Sequence, residues 1–206
     1  FYGAVRCLKE KGQPFISLGF SDPLPLNVEL VITTEGERKR LRGRDVIASE
    51  DPVWAVKAAL VLLQGGSFNR VVAGVDPGPH PGVAVLGDGK VLLADTLLSP
   101  EEVAPAIRDL LSLVKTKELL LRVGHGDPTN RDRIINSLWD VSRNIEVVDE
   151  TSTTRRTEHP DADAAVVIAQ SRGRPLPFRP RVSPTQGEIR DIQRLSRIES
   201  RAALTI

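Results

Sequence analysis

Residues 70–96 read RVVAGVDPGPHPGVAVLGDGKVLLADT. The first seven form a continuous apolar run that closes on a carboxylate, Asp76, the pattern of a buried strand. A turn rich in proline and glycine, 77–81, separates it from a second apolar run at 82–86. Asp88-Gly89 then marks a tight hairpin, because both central residues of such a turn favour positive φ. Residues 90–96 supply the third strand.

Downstream, Ser99-Pro100-Glu101-Glu102 has the chemistry of a helix start: an N-cap hydroxyl, proline at the first position and acids in the first turn. Val103, Ile107, Leu110, Leu111 and Val114 follow at helical spacing. ELLLRV (118–123) reads as a fully buried strand, 124–128 as a loop and 129–143 as a helix. IEVVD (145–149) is a further strand. The polar loop TSTTRRTEH leads to Pro160 and a last helix over 161–169. The expected order is βββαβαβα.

Upstream, 2–11 is helix-like and ends at Gly12, a plausible C-cap. Short strands are expected at 15–18 and 28–33. Asp51 and Pro52 suit the N-cap and first turn of a helix that runs to about residue 64 and stops at Gly65-Gly66, the expected domain boundary. Residues 1–66 thus form a small α/β module, 67–172 the main domain and 173–206 a tail. Residues 171–184 (SRGRPLPFRPRVSP), at the junction of main domain and tail, read as a Pro/Arg-rich linker. Residues 186–203 read as a helix with an apolar stripe (Ile189, Ile192, Leu195, Ile198) beside a basic one (Arg190, Arg194, Arg197, Arg201).

The chain has 206 residues and one cysteine, Cys7. That length buries a core without staples, and a single cysteine excludes an internal disulfide framework and a cysteine-based zinc cluster. A reducing, cytoplasmic setting is expected. No apolar run approaches the length of a membrane span, and no signal peptide is visible. With no methionine and Phe1 as the first residue, the expectation is that this is not a complete translated product. The net charge of +1 hides a split. Residues 1–70 carry +2, 71–170 carry −6 and 171–206 carry +5. An acidic middle between basic ends needs a reason.

Carboxylates at element ends supply one. Asp76 closes the first strand of the main domain, Asp149-Glu150 the last, Asp127 follows the fourth, and Asp161 and Asp163 open the last helix. Loops at the carboxyl ends of parallel strands gather on one edge. Carboxylates that converge there repel unless a cation sits between them. Their hard oxygens select Mg²⁺ or Mn²⁺, and such ions activate water for phosphodiester cleavage. The basic groups, Arg38, Lys39, Arg40, Arg42 and Arg44 on one side and Arg190, Arg194, Arg197 and Arg201 on the other, would hold a nucleic-acid backbone, DNA or RNA. Aromatic residues, 4% of the chain, are not interleaved with these patches, so stacking platforms are not indicated.

Three motifs in order resemble those of the ribonuclease H-like superfamily, in its RuvC/YqgF-type branch. They are GVDPG (74–78) followed by GVAV, VVDETSTT (147–154) and DADAAVVIA (161–169). The resemblance spans roughly residues 68–172. It implies a ribonuclease H-like mixed sheet (βββαβαβα), here with an N-terminal α/β module and a C-terminal helix. It also implies a divalent-metal-dependent nuclease or resolvase-like activity on structured nucleic acid. By this resemblance Asp76, Glu150 and Asp161 are the catalytic, metal-binding carboxylates, with Asp163 and Asp127 as further candidates. The turn PGPHP is one residue shorter than is usual in the branch, and VGHGDPTNRD stands where relatives carry Gly-x-Pro or a catalytic Glu.

Each residue also has an ordinary reading. Asp76 is a common turn acid, Asp161 a good first-turn residue beside Pro160, Asp163 a surface acid and Glu150 a solvated one. His80 and His125 read as hydrogen-bonding loop residues or as general bases, and His159, beside the third acidic cluster, as a residue that could assist a leaving group. Two other functions stay open. One is a non-catalytic nucleic-acid-binding protein on the same fold. The other is an actin-like nucleotide-binding protein, with phosphates at 77–82 and 124–127. A homodimer is left open, and no membrane partner is expected.

Overall fold

The structure is a computed structural model that describes residues 1–19, 21–39, 41, 45–149, 160–184, 187, 189, 190, 193, 194 and 196. The chain starts with helix α1 (Tyr2–Glu10). Strand β1 (Leu30–Thr33), the short helix α2 (Glu35–Arg38), strand β2 (Asp45–Ala48) and helix α3 (Pro52–Leu62) follow. The start of α3 follows local chemistry: the Asp51 carboxylate accepts from Val53 N and Trp54 N, a cap worth about 1 kcal/mol. Gly65 and Gly66, at φ 115° and 61°, end the helical region as expected.

Two expectations for this module change. Residues 15–18 form no strand, because no described strand pairs with them, and Phe15, Ile16 and Leu18 stay exposed. In return β2, a four-residue DVIA directly after the basic run, pairs in parallel with β1. The module docks through α3. Lys57 is ion-paired with Asp95 of the main sheet, and Lys115 N donates to Gly66 O (2.8 Å).

The main sheet starts with β3 (Ser67–Asp76), β4 (Gly82–Gly87) and β5 (Lys90–Thr96). A 3-10 turn (Pro100–Glu102) opens α4 (Val103–Leu113). Then come β6 (Lys115–Gly124), α5 (Pro128–Leu138), β7 (Ile145–Val148), α6 (Pro160–Gln170) and β8 (Arg174–Pro175). From residue 67 to 170 the order is the expected βββαβαβα. Helix α5 ends at Leu138 rather than 143, where Val141 N turns back onto Leu138 O. The strands lie in the order β5-β4-β3-β6-β7-β8. β3 is antiparallel to β4 and parallel to β6, β6 is parallel to β7, and β8 is antiparallel to β7. The fold is therefore mixed α/β, built on an open, mixed six-stranded sheet.

Strand alternation sorts the side chains into two layers. Val71, Ala73, Val75, Val83, Val85, Leu121 and Val123 pack with Val103, Ile107, Ile134, Ile135 and Leu138 of α4 and α5. Val72, Ala84 and Leu86 face Ala165 and Ala169 of α6 on the other side. The small residues there let α6 lie close: a Cβ at Gly74 would collide with the carbonyl of Ala165 and with Ala169.

The hairpin at Asp88-Gly89 has φ 47° and 84°, as its sequence requires. The Asp88 carboxylate accepts from Arg70 N (2.9 Å) and Asn69 N (3.1 Å), and these bonds, Arg70 first, hold its pKa below the usual value. A depressed carboxylate pKa contributes stability above the ordinary carboxylate range that is lost as pH falls through the folded-state value. Asp88→Asn is expected to lower the urea midpoint near neutral pH, and the gap to wild type should narrow as pH falls below the ordinary carboxylate range. An equal gap in both ranges would show that the charge plays no part.

Candidate functional site

β3, β6 and β7 end level: Val75 is in register with Val123, and Val123 with Val147. Asp76, Gly124 and Val148 therefore share the carboxyl edge of the sheet. Asp76 continues the alternation of Val72 and Gly74, so it belongs to the α6 side. Its cross-strand partner in β4 is Gly82, and the first turn of α6 rests on that glycine. A Cβ at Gly82 would collide with the carbonyl of Asp161. The two strongest sequence candidates, Asp76 and Asp161, are thus brought together by one close approach of helix to strand. Both are half-buried.

The other candidates are placed differently. Asp163 is exposed. Two residues along a helix is about 200° of rotation, so it does not share the face of Asp161. Asp127 lies near the edge, since its neighbour Gly126 abuts the carbonyl of Pro77. Its carboxylate is nevertheless engaged locally, accepting from Asn130 N (3.1 Å) and Asn130 Nδ2 (2.7 Å) as the cap of α5. Asp149 is exposed just past β7, two strand spacings, or roughly 10 Å, from the line of β3. Glu150 and His159 lie outside the described residues. Among the described residues no group of three or more His, Cys, Asp or Glu is arranged to hold a metal ion. His80 Nδ1 pairs with Leu98 O (3.0 Å), and His125 N donates to Val148 O (2.8 Å).

No protein-family model, curated protein or solved structure matches this chain.

The basic groups read from the sequence divide. Arg38 and Lys39 are exposed at the end of α2. They belong to the module docked through α3 at Asp95, whose cross-strand partner is Val83 of the α4 layer, not to the α6 side. Arg40, Arg42, Arg44, Arg197 and Arg201 lie outside the described residues. Arg190 and Arg194 are helical and exposed. The Asp88-Gly89 turn is at the opposite end of β3 from Asp76. No helix among the described residues is long and apolar enough to cross a membrane.

The sequence reading missed a buried charge cluster. Arg122 of β6 is 8% exposed, paired in register with Glu146 of β7. Its Nε donates to Glu146 Oε2 (2.8 Å) and its Nη1 to Ala169 O (2.7 Å) at the end of α6. Gly173 N also donates to Glu146 Oε2 (3.3 Å). A cation there suits the negative end of the α6 dipole, and the cluster ties down the end of the helix opposite to Asp161. The sequence signal was an arginine within the apolar run of residues 119–123.

Proposed function

We propose that this chain is a ribonuclease H-like protein of the RuvC/YqgF type that hydrolyses phosphodiester bonds in structured nucleic acid with a divalent metal. The observation that carries the reading is the seat of α6 on Gly82, which sets Asp161 beside the Asp76 end of the central strand. The element order βββαβαβα over residues 67–170 supports the reading. The donors are carboxylate oxygens, which fit Mg²⁺ or Mn²⁺. Asp76 and Asp161 would hold the ion, with Glu150 as the third ligand implied by the resemblance. When bound, such an ion supplies an activated water and neutralises charge on the phosphate. Asp76 and Asp161 would also orient a water toward the phosphorus, and arginines would contact the neighbouring phosphates without reading sequence.

A second reading is a non-catalytic nucleic-acid-binding protein on the same fold. Incubating the full chain with labelled four-way junction, duplex and single strand in Mg²⁺, Mn²⁺ or EDTA separates the two. Cleavage that EDTA abolishes is the expected result. Salt-sensitive binding with no cleavage under any metal would favour the second reading, and no binding at all would remove both.

A further inference from the structure

The segment 171–184 is not a free linker. β8 pairs with β7, with Val147 opposite Arg174 and Glu146 opposite Pro175. Leu176 N donates to Ile145 O (2.8 Å). Farther along, Arg179 donates through Nε to Asn136 Oδ1 (2.9 Å) and through Nη2 to Asn136 O (3.0 Å), and Asn136 Nδ2 donates to Pro180 O (3.1 Å). The segment is therefore a strap, fixed from the edge of the sheet across to α5. Its prolines suit an edge, since they leave no N–H unpaired.

What the strap displays is unusual in a fixed element. Its only charged residues are Arg172, Arg174, Arg179 and Arg181. All four are exposed, and none is ion-paired with a carboxylate among the described residues. The nearby acid Glu146 is already engaged by Arg122 and Gly173 N. Beside Arg179, Phe178 stands 78% exposed. Exposed cations on a fixed backbone next to a bare aromatic ring form the pattern that tracks a nucleic-acid strand, phosphates on the cations and a base on the ring.

We propose that the strap is a binding surface for a single strand of nucleic acid. Arg172, Arg174 and Arg181 would contact phosphates, and Phe178 would stack on an unpaired base. The inference rests on the nucleic-acid reading above and names where on the molecule a strand is held. Because β8 runs antiparallel to β7, Arg172 lies toward the carboxyl edge that carries Asp149. The strap is three strand spacings from β3, roughly 14 Å, a distance that a strand of a few nucleotides bridges.

The test is fluorescence anisotropy with a labelled single-stranded oligonucleotide and its duplex, over a salt series, on the full chain. The variants are R172A/R174A/R181A and F178A. Arg179 is left in place because it ties the strap to Asn136. Thermal melting shows whether the variants stay folded, as side-chain truncation at exposed positions predicts. The triple variant should bind the single strand roughly tenfold or more weakly, with the salt slope reduced by about 2. F178A should weaken single-strand binding roughly fivefold or more and leave duplex binding unchanged. If wild type binds and the folded variants bind equally well, the strap proposal is wrong while the nucleic-acid reading stands. If F178A weakens duplex and single strand alike, the stacking assignment fails. If wild type binds neither, the nucleic-acid reading itself fails. Binding of anionic lipid vesicles but not of oligonucleotides would reassign the strap to a membrane surface and overturn the proposal.

Discussion

Asp76→Asn is expected to abolish Mg²⁺- or Mn²⁺-dependent cleavage while leaving nucleic-acid binding intact or stronger. The substitution keeps the shape of the side chain and removes one negative charge. At a partly shielded site, a unit charge pair about 4 Å apart is worth about 4 kcal/mol, close to a thousandfold in affinity for a singly charged partner, and more for a divalent one. Binding moves the other way, because a carboxylate that faces a phosphate repels it until a cation intervenes. Asp161→Asn should behave alike, since α6 places that residue at Gly82, the strand partner of Asp76. Rates in Mn²⁺ and anisotropy in EDTA read the two effects separately. Full activity in Asp76→Asn would remove the metal-site assignment. Loss in Asp76→Asn but not in Asp161→Asn would remove α6 from the site.

The readable parts of this chain are those whose chemistry is local. Asp51-Pro52 starts a helix because a carboxylate two residues away satisfies its first N–H groups. Asp88-Gly89 turns because those two residues tolerate positive φ. The run from Arg70 to Asp76 is strand because its β-branched residues suit a two-sided core. Hidden parts depend on partners distant in sequence. β2 is four residues after a basic run and exists because β1 lies beside it. β8 is two residues inside a Pro/Arg-rich stretch, with a ladder partner more than twenty residues upstream. Phe178 is hidden for the same reason, because the pairing that fixes the stretch carrying it is made with a distant strand. At the candidate site, the carboxyl-edge position of Asp76 was legible from the strand pattern. The capping role of Asp127, which depends on Asn130 presenting both its backbone and side-chain N–H, was not.

Arg122→Met is expected to cause a large loss of stability. Arg122 and Glu146 have side chains only 10% and 20% exposed, so removing the guanidinium leaves a carboxylate shielded from water without its cation, and the Ala169 carbonyl without its donor. Breaking one side of a buried pair costs about 3 kcal/mol or more, which in a chain of this size is roughly 6–12 °C in melting temperature. The cost comes from the charge left behind rather than from the strength of the pair. The double variant Arg122→Met/Glu146→Leu should therefore recover much of the loss. Recovery will be incomplete, because Gly173 N also loses its acceptor. Differential scanning calorimetry on wild type, both single variants and the double variant gives the full cycle. A melting temperature for Arg122→Met within a degree of wild type would show that water reaches the cluster. A double variant no better than Arg122→Met would shift the explanation from the stranded charge to the lost anchor on α6. In that case α6 is held mainly by Arg122 donating to Ala169 O. The Asp161 end of the helix should then move as well, and Mn²⁺ affinity should fall in the double variant although neither substitution touches a proposed ligand.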